Sequence, residues 1–259
     1  MKAGVFSNIM LWIAIIFLIG PFVIIFSASF SQSETLTFPP VGFTFSWFHK
    51  VVTMPMFVNS FKMSIWIAIL ASFFALLLGT PVAYALSRYQ FPGKRFIEIM
   101  TMLPVIIPQM VAGLTLLRIF VLMGVFSIQA TLLIGHTIIV LPFAIRMIHS
   151  SIINLPSSIE EAAVSLGASP VKAFFKIVLP NISTGLVSAF ILTFITSFNN
   201  VPISLFLTGP GVSTLPIVML TYMEYYFDPS IAALATILIL MTLLIVFIMQ
   251  KLLGISKIV

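Results

Sequence analysis

Six apolar runs, each long enough to cross a membrane, dominate this sequence. They lie near residues 9–28, 61–86, 99–122, 130–148, 183–206 and 231–250. A helix of roughly 20 residues crosses the ~30 Å hydrocarbon core, and it satisfies the backbone polar groups of each run internally. The pattern therefore predicts an all-α, polytopic membrane protein with six transmembrane helices, formed as a single domain over residues 1–259.

The composition excludes several other classes of protein. Only 7% of the residues are charged, and the mean hydropathy is +1.24, whereas a soluble domain carries roughly 25% charged residues. The absence of cysteine excludes disulfides and thiolate metal sites, and the three histidines are scattered, so we predict no metal site and no catalytic site. The first apolar stretch, Ile9 to Phe26, exceeds the about 7–15 residues of a cleaved signal peptide, which predicts a retained first span.

Lysine and arginine in the connecting loops predict the orientation. With the N-terminus inside, only Lys50 and Lys62 lie outside. The cytoplasmic side then holds Lys2, Arg88, Lys94, Arg95, Arg146, Lys172, Lys176, Lys251 and Lys257. Because cytoplasmic loops carry an excess of these residues, we expect both termini and the loop 149–180 in the cytoplasm. The net charge of +6 thus indicates topology and not nucleic-acid binding.

Small residues recur along the second span at three-to-four-residue spacing. They are Ala68, Ser72, Ala75, Gly79 and Ala83. Such a stripe lets the backbone of another helix approach closely, so it predicts helix packing along this face.

The predicted cytoplasmic loop contains an unusually polar stretch, "EEAAVSLGASPVKAFFKIVLP", at residues 160–180. Ser157 or Ser158 is predicted to cap a first helix, and Gly167 to end it in the left-handed conformation. A second, amphipathic helix is predicted to start near Pro170. Taken by itself, this stretch fits either a solvated interfacial loop or a docking element for a cytoplasmic partner.

The spacing in this loop resembles a known motif. Glu161-Ala162-Ala163, three residues, Gly167, nine residues, Ile177, one residue and Leu179-Pro180 are similar to the EAA loop of bacterial ATP-binding-cassette (ABC) importer permeases. The segments "RYQFPGKR", "HTIIVLPFAIR", "LTGPGVSTLP" and "FDPSIAALATI" are similar to the spermidine/putrescine-type branch, and specifically to its shorter, second permease subunit.

The resemblance implies a function and a set of partners. The loop at about 150–180 would be a coupling loop, whose contact with an ATPase subunit is made by Glu161, Ala162, Ala163, Leu166 and Gly167. The chain would form half of a translocation pathway in the bacterial inner membrane, with a second permease subunit, two ATPase subunits and a periplasmic solute-binding protein. Because the sequence has no phosphate-binding loop motif, ATP and Mg²⁺ are expected in the ATPase partner, and this chain is expected to be neither an enzyme nor a cofactor-binding protein.

Polar residues within the apolar runs are candidates for the pathway, since such residues are costly in lipid. The candidates are Gln109, Arg118, His136, Thr193, Thr196, Ser197, Asn199 and Asn200, of which we select Gln109, Arg118, Asn199 and Asn200. Alternatives are open for the others: His136 fits a hydrogen-bonded packing role, and serines and threonines bond to their own helix. Arg118 also fits snorkelling to the outer interface.

The nature of the solute stays open between two classes. The resembling permeases tend to carry carboxylates after the "SF" of the fifth span, whereas this chain has "SFNN". The resemblance implies a polyamine-like solute. The loss of these carboxylates, with Arg118 nearby, weakens that expectation and makes a zwitterion or anion plausible, such as a solute similar to an amino acid, a phosphonate or an organic acid. A stand-alone secondary transporter or channel is the alternative function, although none of the spans contains the carboxylate that ion coupling usually needs.

Overall fold

The computed structural model describes residues 5–253, and within this range it is helical, with an isolated bridge between Gly209 and Val212 as its only β-type pairing. The helices before the 150–180 loop are α1 (Val5–Ala28), α2 (Ser46–Thr53), α3 (Pro55–Arg88), α4 (Lys94–Ile106), α5 (Gln109–Leu122) and α6 (Ile128–Ile153). Those that follow are α7 (Ser157–Ser165), α8 (Pro170–Ala173), a π-helical turn (Phe174–Val178), α9 (Leu179–Asn181), α10 (Ser183–Phe198), α11 (Val201–Leu207), α12 (Leu215–Tyr225) and α13 (Ser230–Leu253).

The long helices follow the apolar runs. Within the described residues, α1, α3 and α6 are each long and apolar enough to span a membrane, and α13 is a further apolar helix of 24 residues. The 34 residues of α3 correspond to about 51 Å at 1.5 Å per residue. This length exceeds the ~30 Å hydrocarbon core, so an end of α3 extends beyond it.

Two predicted spans are wrong as continuous helices. The run predicted at 99–122 is divided into α4 and α5, which meet at an angle of 99°. Pro108 separates them, and Ile107 before it is extended, as residues preceding proline usually are. The run predicted at 183–206 is divided at Asn199–Asn200, and Pro202 lies in the first turn of the following helix, α11. Proline has no backbone N–H, and it is best tolerated at the start of a helix.

The described chain forms two compact units. The first comprises residues 5–59 and 218–253, in which α1 and α2 both pack on α13. The connection between α1 and α2 is held by an aromatic cluster of Phe30, Phe43, Phe45 and Phe48, with Phe30 stacked on Phe43 at 5.1 Å. Close contact between aromatic rings is favourable, so the cluster orders a connection that lacks helix.

The second unit comprises residues 60–217, and α6 lies at its centre. There α6 packs against α4, α5, α10 and α11, and α5 also packs against α11. The small-residue stripe of α3 has the predicted packing role. Its members Ala68, Ser72, Ala75 and Ala83 are buried, and Gly79 lies so close to Ile145 that an added Cβ would be 3.2 Å from that side chain.

Large apolar side chains cover much of the outer surface. On α1, Phe17 is 80% exposed and Leu18 is 65% exposed. A soluble protein rarely leaves such extended apolar faces in water. The surface of this all-helical chain is therefore suited to lipid.

Candidate functional site

The 150–180 loop is built as the sequence predicted, except at its start. Helix α7 ends in a turn in which Gly167 has φ +92°, and α8 begins at Pro170 with Ser169 as its N-cap. The Gly167 N–H donates to the Val164 carbonyl, and the Ala168 N–H donates to the Ala163 carbonyl. This pair of hydrogen bonds is a Schellman motif, which requires a left-handed residue at the position of Gly167. The predicted serine cap is wrong, because Pro156 is the N-cap and no side chain caps the helix.

The residues selected for partner contact form the outer face of this loop. Glu161, Ala162 and Gly167 are exposed, Leu166 is 90% exposed, and Ala163 is half-buried. The Glu161 side chain makes no hydrogen bond or ion pair with any residue in the range 5–253. The exposed Leu166 and the unpaired Glu161 carboxylate therefore form a surface that no other described part of the chain covers.

The neighbouring carboxylate, Glu160, has the opposite environment. Its Oε2 accepts from Arg88 Nε at 3.1 Å, and its Oε1 accepts from the hydroxyl of Tyr84. The Arg88 and Glu160 side chains are only 13% and 12% exposed, and Arg88 Nη2 also donates to the Leu155 carbonyl at 2.9 Å. Hydrogen bonds between charged groups in such a sheltered place are stronger than surface pairs. Glu160 thus fixes α7 to the end of α3.

A cleft of about 410 Å³ opens beside this ion pair. Tyr84, Arg88 and Tyr89 line it from the α3 side, and Glu160, Glu161 and Pro170 line it from the loop. The Tyr84 ring also contacts Phe174 edge to face at 4.9 Å. This anchor was not predicted from the sequence, since Arg88 is 72 residues from Glu160. The only available signal was a basic residue at the cytoplasmic end of the second span.

Of the four selected pathway residues, two are in contact with each other, Asn200 and Gln109. Asn200 Nδ2 donates to Gln109 Oε1 at 3.0 Å, and Asn200 Oδ1 accepts from the Ile203 N–H. Asn200 is therefore a buried N-cap of α11, and it ties the break between α10 and α11 to the start of α5. Asn199 and Arg118 are exposed, and neither side chain is hydrogen-bonded to a described residue.

His136 lies across the same break. Its Nδ1 is 2.8 Å from Ser197 Oγ on α10, and its Nε2 is 3.0 Å from Ser204 Oγ on α11. His136, Ser197 and Ser204 are all buried, which confirms the hydrogen-bonded packing role that the sequence favoured for His136. Thr193 and Thr196 bond to carbonyls of their own helix, as expected. We refer to Gln109, His136, Ser197, Asn200 and Ser204 as the helix-break cluster.

Close backbone contact supports the helix-break cluster. A Cβ added to Gly113 of α5 would lie 3.0 Å from the Pro202 carbonyl oxygen and 2.8 Å from the Phe206 ring. Real Cβ atoms rarely come so near a backbone atom, so glycine allows α5 and α11 to pack at this distance. The cluster is consequently held by backbone packing as well as by hydrogen bonds.

A second ion pair lies in the predicted outer loops. Lys50 Nζ donates to Asp228 Oδ2 at 2.6 Å, and both groups hydrogen-bond to the Tyr222 hydroxyl. Burial opposes both charges, but these hydrogen bonds outweigh it, so the pKa of Lys50 lies above and that of Asp228 below its ordinary value. Asp228 also accepts from the Ser230 N–H at the start of α13. The pair therefore fixes α2 to the start of α13.

The part of the chain that the structure describes contains no group of three or more His, Cys, Asp or Glu side chains placed to hold a metal ion. Three of its hydrogen-bonded groups bear on the predicted sites: the loop anchor at Glu160, the helix-break cluster and the outer ion pair at Lys50.

A family profile and individual relatives indicate the same protein family. The sequence profile of the binding-protein-dependent transport system inner membrane component matches residues 72–255. The spermidine/putrescine transport system permease protein PotC of Escherichia coli (strain K12) is 32% identical over 209 residues, which cover 81% of this chain and 79% of PotC. The putrescine transport system permease protein PotI of the same organism is 30% identical over 239 residues, which cover 89% of this chain and 84% of PotI.

Among solved structures, a similar chain belongs to a bacterial ABC transporter involved in the import of the acidic polysaccharide alginate. The TM-score is 0.70 at 20% identity, with 97% of this chain and 95% of that chain covered. At this identity the likeness concerns the fold, and it agrees with the helical architecture described above.

Proposed function

The chain belongs to the family of binding-protein-dependent transport system inner membrane components, the permease subunits of ABC importers, and we propose that it works in a complex of two different permeases, two ATPase subunits and a solute-binding protein. Each permease would form half of the translocation pathway. The observation that carries this proposal is the exposed face of the 150–180 loop, where Leu166 is 90% exposed and Glu161 is unpaired among the described residues.

In this proposal, the ATPase subunit covers the face formed by Glu161, Ala162, Ala163, Leu166 and Gly167. Burying Leu166 in a groove of the partner would remove an apolar side chain from water, worth about 1.5–3 kcal/mol. Glu161 would then pair with a cationic or hydrogen-bonding group of the partner. ATP and Mg²⁺ would bind to the ATPase subunit, and this chain would hold no cofactor.

The proposed orientation has both termini in the cytoplasm. The excess of lysine and arginine, nine against two, supports this orientation of the chain in the bacterial inner membrane. It places the 150–180 loop on the side where ATP is available, and the Lys50–Asp228 ion pair on the side of the solute-binding protein.

The proposed pathway uses the exposed polar residues and the helix-break cluster in different ways. Asn199 and Arg118 have exposed side chains without a hydrogen bond or ion pair to a described residue, so they would contact the solute or line its route. Gln109 and Asn200 would shape the pathway, because their hydrogen bond maintains the break between α10 and α11. The permeases PotC and PotI make spermidine and putrescine the first solutes to test, and an amino acid, a phosphonate and an organic acid the next.

The experiment is purification of the affinity-tagged chain from membranes of its own source, followed by identification of the proteins that copurify. We expect a second permease and two copies of an ATPase subunit, and ATP hydrolysis by the assembly. A tagged chain that transports solute into proteoliposomes without an ATPase subunit would contradict the proposal and favour a secondary transporter or channel. Screening labelled spermidine, putrescine and the other solutes on the binding protein would identify the solute class.

A further inference from the structure

The 150–180 loop and the end of α3 are joined by a sheltered ion pair that belongs to neither the outer face of the loop nor the helix-break cluster. We propose that Glu160 is a positioning residue, which makes the loop move together with the cytoplasmic end of α3 when an ATPase subunit moves the loop. This inference rests on the proposed function, and it assigns a role to the carboxylate adjacent to the one that the sequence motif identifies.

The backbone does not connect the loop directly to α3. The chain itself links the loop only to α6, through Asn154–Pro156, and to α10, through Ile182. Helix α3 is separate in sequence from both, so any force from the loop to α3 must pass through side chains. Glu160 makes both of the side-chain hydrogen bonds that join α7 to α3, one to Arg88 and one to Tyr84.

The contact of Arg88 with the loop is rigid. Arg88 binds two parts of the loop, since its Nε donates to Glu160 and its Nη2 donates to the Leu155 carbonyl before α7. Two donors of one planar guanidinium fix both distance and direction, which a lysine ammonium does not. The Tyr84 ring adds a third point through its contact with Phe174 in the π-helical turn.

Helix α3 is packed against its neighbours near Arg88. It runs from Pro55 to Arg88 with Pro81 inside it, and its small-residue stripe is packed against the rest of the second unit. A displacement at Arg88 is therefore passed to α6 through the close-packed apolar cluster around Ala83. In contrast, the Glu161 side chain is exposed and makes no hydrogen bond or ion pair with a described residue. In this proposal, Glu160 positions the loop on α3, and the adjacent Glu161 contacts the ATPase subunit.

The experiment measures whether loop and helix move as one body. The chain has no native cysteine, so nitroxide labels on Gln90→Cys, two residues beyond the end of α3, and on Lys172→Cys in α8, both at exposed positions, report one distance from this chain. The purified complex in nanodiscs is measured by pulsed electron paramagnetic resonance, without nucleotide and with ATP plus vanadate. With Glu160 present we expect one narrow distance distribution that is the same in both conditions.

Glu160→Gln removes the charge while keeping the size, and we expect it to broaden the distribution and to make it change with ATP. Glu160→Asp should restore part of the narrow distribution, and Tyr84→Phe, which keeps the ring contact with Phe174, should broaden it less. Glu98→Gln is the matched control, since it removes an exposed carboxylate from α4 and should leave the distribution narrow.

A narrow, nucleotide-independent distribution in the Glu160→Gln complex would overturn the inference. Loss of the ATPase subunit from that complex would also overturn it, because Glu160 would then belong to the docking contact. If no ATPase subunit copurifies with the unsubstituted chain, the proposed function fails. The labelled pair in the isolated chain would still show whether Glu160 fixes the loop to α3, so the two failures are distinguishable.

Discussion

The helix-break cluster and the 150–180 loop both place polar residues where long apolar helices are interrupted. The two regions differ in whether those residues have hydrogen-bond partners within the described chain. In the helix-break cluster, His136 and Asn200 use both of their polar ends on partners in the same chain. In the loop, Glu160 is bound on the inner side, while Glu161 and Leu166 remain open on the outer side. A buried polar group is costly unless paired, whereas an exposed one is available to a partner. The first region therefore sets the shape of its unit, and the second leaves open the surface on which we propose that the ATPase subunit docks.

The largest expected effect tests whether the helix-break cluster is structural. Asn200→Leu removes the N-cap of α11 and leaves Gln109 without its partner, so we expect a loss of about 2–4 kcal/mol in the free energy of unfolding. The measurement is the thermal unfolding of the purified chain in detergent. Asn199→Leu is the matched control, because its side chain is exposed and makes no hydrogen bond with a described residue that would be lost, and it should change stability by less than about 0.5 kcal/mol. Equal effects of the two substitutions would contradict this assignment.

The His136 hydrogen bonds give a second test of the same region. His136→Leu leaves the Ser197 and Ser204 hydroxyls unpaired in a buried place, and we expect a loss of about 2 kcal/mol. Adding Ser197→Ala and Ser204→Ala should recover part of that loss, since replacing all partners by apolar groups is less costly than leaving some unpaired. Unfolding in detergent gives each value, and no recovery in the triple variant would show that His136 acts through packing volume instead.

The turn at Gly167 tests whether the loop is a docking surface. Gly167→Val places a β-branched residue at φ +92°, with a local cost of about 1–2 kcal/mol from backbone conformation alone, since an added Cβ meets no atom within 4 Å. We expect normal membrane insertion, weaker copurification of the ATPase subunit and loss of transport-linked ATP hydrolysis.

Gly167→Asn is the control for this turn, because asparagine tolerates the left-handed conformation and should retain most of the activity. Glu161→Ala should weaken the ATPase contact less than Gly167→Val, because it removes one side chain without bending the turn. An unaffected Gly167→Val complex would show that the turn does not take part in docking.

The smallest expected effect concerns the outer ion pair. Asp228→Asn should lower stability by less than about 1 kcal/mol, because Lys50 is 39% exposed and such pairs are screened. The pKa of Asp228 is lowered by folding, so its contribution is present above the ordinary value of 3.8 and is lost as the pH falls below it. The pKa of Lys50 is raised, so its contribution is present below 10.5 and is lost as the pH rises through the raised value. Melting temperatures across this range check both signs, and an acid decrease of equal size in Asp228→Asn would contradict the assignment.

Much of the fold followed from local patterns in the sequence. Long apolar runs predicted the helices α1, α3, α6 and α13, because run length and backbone hydrogen bonding act along a single segment. The small-residue stripe of α3 and the left-handed turn at Gly167 were also predictable, since each depends on the geometry of its own helix or turn. The residues of the proposed docking face were selected from the spacing of a motif, and all of them except the half-buried Ala163 are exposed.

The tertiary structure decided which distant residues meet. Glu160 and not Glu161 is bound to Arg88, because the direction of a side chain on α7 depends on where that helix starts, and Pro156 rather than a serine is its N-cap. Asn200 became a helix cap and Asn199 stayed exposed because the run at 183–206 breaks between α10 and α11, where Gln109, 91 residues away, accepts a hydrogen bond from the Asn200 amide. Hydrophobic periodicity shows which face of its own helix a residue lies on. An ion pair or a bond to a distant side chain also depends on where a second helix ends, and that position is set by tertiary packing.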